Sequence, residues 1–165
     1  MSYYIIIRGP LGCGKSTISE RLAKELGAQH VAVDRVLDEH NLTEEKEEGY
    51  ISQNSFKKAN QIIATEARET IDAGTPIIFD GNFYWQSAIE DLIARLPYPH
   101  EVFTLTAPLE TCIERDKARD KTHGKDAAAV VYNKSTSFSY GVEIDATQPI
   151  EKTLEEIKSK INIKT

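Results

Sequence analysis

The chain has little cysteine and little tryptophan: two cysteines and one tryptophan in 165 residues. Cys13 and Cys112 are too few for a disulfide framework or a cysteine metal cluster, so each reads as a small packing residue. No apolar run approaches the roughly 20 residues of a membrane-spanning helix. The first residues carry no basic stretch leading into a cleavage site. The expectation is a cytoplasmic protein with no membrane partner. Positive charge is also short, with 20 lysines and arginines against 26 acids and a formal charge of −6, which speaks against broad attraction to nucleic acid. Repeats, low-complexity tracts and linkers are absent. What remains is 40% apolar and 28% charged, ordinary for a globular chain of about one domain, so residues 1–165 are expected to form a single domain.

Short apolar runs alternate with longer helical patterns. The spacing predicts strands at 3–8, 30–33, 76–79, 102–106 and 142–144, and helices at 15–26, 56–72, 86–96, 109–121 and 150–160. Five strand–helix alternations imply an α/β fold, with a parallel sheet covered by helices on both faces and ligands collecting at the carboxyl ends of its strands. Two segments interrupt the regularity: the acidic "NLTEEKEEGY" at 41–50 and the region 121–140.

Between the first strand and first helix stands "RGPLGCGKST". Its part "GPLGCGKS" has the phosphate-loop spacing, with Gly9, Gly14, Lys15 and Ser16 in register and Gly12 and Cys13 between them. Glycines let the backbone turn with positive dihedrals and bring amides close to a polyphosphate without a side chain in the way. The helix N-terminus adds a partial positive charge at the same place. In such a loop Lys15 bridges the β- and γ-phosphates, and the Ser16 hydroxyl, beside Thr17, holds Mg²⁺.

With this loop in place the chain resembles the P-loop kinases, in particular the small-molecule, nucleoside and polynucleotide kinases that share a compact core with a lid; the cores of the shikimate-kinase and zeta-toxin types are similar, within the AAA-type ATP-binding P-loop proteins. The resemblance implies a three-layer P-loop fold with a five-stranded parallel sheet, an acceptor-side insertion at about 35–55 and a small lid at about 115–140. It implies ATP and Mg²⁺ as cofactors. It also assigns roles to three further segments.

In "HVAVDRVLDEH" the resemblance makes Asp34 the acid that orients the acceptor hydroxyl or takes its proton, a role suited to phosphoryl transfer, which needs a positioned alcohol more than a strong base. The other reading is a helix N-cap, with the helix starting at Arg35. Arg35 and Asp38 are weaker candidates for acceptor contact. In "PIIFDGNFYW", Asp80 ends a buried strand and is expected either to hold Mg²⁺ with Ser16, through water, or to contact the acceptor, while Gly81 and Asn82 turn backbone and amide groups toward the site. Phe83, Tyr84 and Trp85 form either an acceptor wall or plain packing. In "LETCIERDKARDK", Arg115 and Arg119 project from one helix face at i and i+4. The resemblance makes this the lid helix, whose arginines neutralise the transferring phosphoryl group; surface ion pairing is the alternative. The loop 146–149 would skirt the adenine through Thr147 or Gln148.

Departures narrow the acceptor. A shikimate-type site would carry a second acid two residues after Asp34, where this chain has Val36. A nucleoside monophosphate kinase would have a longer, arginine-bearing insertion, whereas "EEKEEGY" repels a phosphorylated acceptor. The expected activity is ATP-dependent transfer of the γ-phosphoryl group to a hydroxyl of a small-molecule or nucleoside-like acceptor. Two alternatives stay open: a nucleotide-dependent regulator or simple NTPase, and a polynucleotide 5′-hydroxyl kinase served by the locally basic lid around Lys121, His123 and Lys125. No Asn-Lys-x-Asp stretch specifies guanine.

Overall fold

A computed structural model describes residues 2–117 and 125–163. The apolar run after the N-terminus forms β1 (Tyr4–Arg8), buried along its whole length. It ends at the glycine-rich loop, and α1 (Lys15–Leu26) begins at Gly14, whose left-handed backbone caps it; Gly27 closes the helix in the same conformation, the usual glycine stop. Next come β2 (Gln29–Ala32), α2 (Val33–Glu39), the two-residue strands β3 (Lys46–Glu47) and β4 (Tyr50–Ile51), and α3 (Gln53–Asp72). The chain then runs through β5 (Ile77–Gly81), α4 (Gln86–Arg95), β6 (His100–Thr106), α5 (Leu109–Lys117), α6 (Lys125–Ser135), β7 (Val142–Asp145) and α7 (Ile150–Lys160).

The five long strands form one parallel sheet in the order β2-β5-β1-β6-β7. The first strand in sequence lies at the centre, flanked by β5 and β6, so the loop that follows it emerges mid-sheet at a topological switch point. Alternation along β1 divides the core. Ile5 and Ile7 face a layer built by Ile18 and Leu22 of α1, Cys112 of α5, and Leu154 and Ile157 of α7. Tyr4 and Ile6 face Phe56, Ala59 and Ile63 of α3 with Ala88, Ile89 and Leu92 of α4.

Several boundaries differ from the sequence reading for local reasons. β2 stops at Ala32 and α2 starts at Val33. Asp34 therefore lies inside the first helical turn, and the N-cap is Ala32, which excludes the capping role for a helix beginning at Arg35. α3 starts three residues earlier than expected because the Ser52 side chain accepts the Ser55 N–H at 3.0 Å, an N-cap that compensates for the polar first turn. The acidic 41–50 segment makes half of a hairpin, with Glu48 (φ 54) and Gly49 (φ 86) as its two-residue turn; both centres are left-handed, as a type I′ turn demands. α5 is described through Lys117, and the expected helix end at 121 lies outside the described residues; a helix not read from the sequence, α6, occupies part of 121–140.

Candidate active site

Sheet order sorts the expected residues into two flanks around the phosphate loop. Asp34 follows β2 and Asp80 lies in β5, both on one side of β1. Arg115 on α5 follows β6, and the 146–149 loop follows β7, both on the other side.

On the second flank the loop and its neighbours enclose a cavity of about 350 Å³. Gly12, Cys13, Gly14, Ser16, Thr17 and Arg115 line it, closed off by Ala146, Gln148, Ile150 and Thr153. Gly12 has φ +80, and a Cβ there would lie 2.2 Å from the Cys112 carbonyl oxygen, so only glycine lets the loop seat on α5. Ser16 and Thr17 are exposed. α1 carries no acid in its first turn and no side-chain cap, which leaves its orphan amides and positive end open to an anion. The Lys15 ammonium donates to the Pro10 carbonyl at 3.1 Å. Arg115 Nη1 donates to the Cys13 carbonyl at 3.2 Å, so the guanidinium is already in the cavity wall. Cys13 contributes backbone only, since its thiol is buried and burial raises its pKa. Gln148 lines the cavity, whereas Thr147 turns back to Asp145 through its hydroxyl at 2.6 Å and its N–H at 2.8 Å. Gly9 lines a different recess together with Pro10. Arg119 lies outside the described residues, as do Lys121 and His123.

On the first flank, Asp34 Oδ1 accepts the backbone N–H of Asn82 at 3.4 Å. That bond joins the tips of β2 and β5. The Asn82 side-chain oxygen is buried without a partner, which fits a donor arriving from a ligand. Asn82 is followed by Phe83 at φ 39, a rare conformation for a bulky residue, held by complete burial and by packing of its ring on Gly81. Asp80, 4% exposed, is hydrogen-bonded to Nε2 of His30. That bond raises the His30 pKa, with burial opposing it. Sequence reading missed His30; the signal lies in the register, which sets Ala32 beside Asp80 and puts His30 on the same face of β2. Arg35 and Asp38 are exposed on α2, and the Arg35 charge reaches His30, opposing the rise in its pKa.

The aromatic run is buried: Phe83, Tyr84 and Trp85 are 0%, 4% and 8% exposed. They pack with Phe56 and Tyr50 and fix the hairpin, since Ile51 N–H donates to the Tyr84 hydroxyl at 3.0 Å and Trp85 Nε1 donates to the Ile51 carbonyl at 2.7 Å. Burial pushes the Tyr84 pKa up to about 12, keeping it a neutral hydroxyl. The run is thus packing, and it fastens the hairpin to the end of β5.

Among the described residues no group of three or more His, Cys, Asp or Glu side chains forms a metal cage. A kinase-type magnesium needs none, because phosphate oxygens and water supply most of its ligands. An exposed Ser16 beside the loop and a carboxylate at the tip of β5 fit that pattern.

Several solved structures share this architecture. A sugar kinase from Janibacter sp. HTCC2649 aligns with a TM-score of 0.81 at 18% identity, covering 99% of this chain and 96% of that one. A gluconokinase from Sinorhizobium meliloti 1021 gives 0.72 at 17% identity, covering 93% and 87%. Shikimate kinase from Aquifex aeolicus gives 0.66 at 17% identity, covering 94% of each chain. At these identities the likeness establishes the fold. Among curated proteins, none matches the sequence. The AAA domain family matches residues 5–136. That span is most of the chain and takes in the phosphate loop, Asp34, Asp80 and Arg115, and the protein therefore belongs to the AAA domain family.

Proposed function

We propose that the protein is an ATP- and Mg²⁺-dependent kinase that transfers the γ-phosphoryl group to a hydroxyl of an uncharged or weakly charged small molecule. The observation that carries this reading is the division of the site: a cationic, nucleotide-sized cavity on one flank of the phosphate loop and a carboxylate anchored across two strand tips on the other. A nucleotide sensor needs the first flank alone, whereas transfer to an alcohol needs both.

The loop amides and the α1 N-terminus bind the polyphosphate, and Lys15 leaves the Pro10 carbonyl for its β- and γ-oxygens. Arg115, permanently charged, offsets the negative charge on the group in transit. Asp34 accepts the proton of the acceptor hydroxyl and aims its oxygen, held in place by Asn82 N–H. Ser16 and Asp80 would hold magnesium, which would supply charge neutralisation at the phosphates. Arg119 is a second candidate for the Arg115 role. The named activities of the structural neighbours, a sugar kinase and a gluconokinase among them, suggest polyhydroxylated acceptors. Lack of a second acid at Val36 and the acidic hairpin keep shikimate and nucleoside monophosphates disfavoured.

The test is transfer of labelled γ-phosphate from ATP to pooled sugars, sugar acids, nucleosides, amino-alcohols and 5′-hydroxyl oligonucleotides. The expected product disappears in Lys15→Ala and in Asp34→Asn, with ATP affinity retained in Asp34→Asn. ATP bound tightly with no product from any pool, and an Asp34→Asn protein indistinguishable from the parent, would assign the chain to nucleotide sensing.

A further inference from the structure

The residue that ends β1 is Arg8, an arginine completing the strand Tyr4-Ile5-Ile6-Ile7. It is fully buried. Among the described residues no carboxylate pairs with it. Burial lowers its pKa to about 10, which still leaves it charged at neutral pH. A buried cation without a counter-ion is costly, so its compensation has to be found in dipoles and rings.

Among the described residues that compensation comes from the chain returning from α6 to β7 and from Thr104 of β6, itself bonded to that chain. Nη2 donates to the carbonyl of Ser135, the last residue of α6, at 2.7 Å, where the helix presents its negative end. The guanidinium carbon sits 4.4 Å from the centroid of the Phe138 ring. Nη1 donates to the Thr104 hydroxyl at 3.1 Å, which itself donates to the Tyr140 carbonyl at 2.6 Å. Nε has no partner. With no exposed surface, Arg8 touches neither nucleotide nor acceptor.

The neighbours of this grip give it meaning. Gly9, the next residue, opens the phosphate loop. At the other end of the same excursion, Arg115 holds the Cys13 carbonyl inside that loop. The chain between β6 and β7 is therefore fastened to the two sides of the phosphate loop by one guanidinium each. α6 in turn reaches the acceptor flank: the Tyr50 hydroxyl meets the Val130 carbonyl at 3.5 Å, and the Lys134 ammonium lies 3.7 Å over the Trp85 ring.

We propose that Arg8 is a positioning residue that sets helix α6 against the phosphate loop, so that nucleotide binding at the loop is transmitted through α6 to the acceptor hairpin. The role rests on the kinase reading for its consequence in transfer, while the coupling itself does not depend on an acceptor. A fork with two aimed donors is needed, which lysine cannot supply in full.

The experiment compares the parent, Arg8→Lys and Arg8→Met by amide hydrogen exchange over residues 9–17 and 128–140, with and without ATP and Mg²⁺, alongside fluorescent-nucleotide titration. In the parent, nucleotide slows exchange in both segments. In Arg8→Met the loop is still protected and nucleotide affinity stays within about threefold, but protection of 128–140 is lost; Arg8→Lys restores part of it. With an acceptor in hand, kcat falls at least tenfold in Arg8→Met while KM for ATP changes little, a split that a merely structural role does not produce. If Arg8→Met does not fold, Phe138→Leu removes the ring face and should weaken the protection of 128–140 in the same direction. Undiminished protection of 128–140 in a folded Arg8→Met, or in both Arg8→Lys and Phe138→Leu, overturns the proposal. Coupling intact in the parent and lost in Arg8→Met, with no acceptor phosphorylated, leaves this inference standing and removes the kinase reading instead.

Discussion

Replacing Gly12 by alanine tests how the phosphate loop is held. The new Cβ stands 2.2 Å from the Cys112 carbonyl oxygen and 3.1 Å from its carbonyl carbon, against 3.4 Å for ordinary contact. The obstacle is helix backbone in α5, which cannot rotate aside as a side chain would. A side chain at φ +80 costs about 1–2 kcal/mol for the left-handed backbone, and forcing apart packed backbone costs about 1–3 kcal/mol more. Gly14→Ala is the internal control: its φ is +94, but the nearest atom to the added carbon is Arg115 Nη1 at 4.0 Å, so only the conformational cost of about 1–2 kcal/mol applies.

Urea unfolding of both variants gives the comparison. Gly12→Ala is expected to unfold at lower urea than Gly14→Ala with the same slope. Because relief of the clash requires the loop to lift off α5 and take Cys13 from Arg115, nucleotide binding in Gly12→Ala should weaken at least tenfold. Coincident midpoints for the two variants would refute the argument, since they would mean that the loop is not seated on α5 as described.

Two further outcomes follow from the environment of single side chains. Burial raises both thiols, Cys112 to about 11, so the folded protein should be alkylated by iodoacetamide at pH 8 far more slowly than the urea-unfolded chain. Since the folded state holds these protons more tightly, the stabilisation is intact below the unfolded thiol value of about 8.5 and is lost as pH rises above it; equal alkylation rates in the two states would contradict the burial. Trp85 is the only tryptophan, and with Lys134 over its ring, Lys134→Met should change its emission without altering far-UV dichroism, at a cost near 0.5–1 kcal/mol in stability. Identical emission spectra would remove Lys134 from the indole face.

The parts of the molecule legible in the sequence are those written locally. The loop at 9–16 and helix α1 follow from glycine spacing, helical period and the Gly27 stop, and the strands at the sheet centre follow from their unbroken apolar runs. The parts that were not legible depend on partners distant in sequence. The acidic hairpin lacks the alternation of a strand, and its form comes from a two-residue turn and from Tyr84 and Trp85 more than 30 residues away. The His30–Asp80 bond exists only because of the register between β2 and β5. Arg8 reads as the polar end of a strand, and nothing within ten residues of it predicts a ring and a helix end arriving from 135–138. Asp34 is intermediate: its place on the ligand edge follows from the β2–α2 switch, but its bond to Asn82 follows from the sheet.

The charge distribution around the loop adds direction to the chemistry. The cavity flank gathers Lys15, Arg115 and the N-terminus of α1, which has no acid in its first turn, so on the kinase reading a polyphosphate is attracted there. The acceptor flank carries Asp34 in the first turn of α2 and glutamates on the hairpin, where Glu45 is bonded to Ser52 and Glu47 to the Gln53 N–H at 3.0 Å. A second phosphorylated molecule entering on that side meets like charge within about one Debye length. On the kinase reading, the carboxylates that would turn away an anionic acceptor would also discourage the nucleotide from binding in reverse, with its phosphates over Asp34. On the same kinase reading, the two substrates meet at one loop, and the opposed signs of the two flanks set which end of each points at the other.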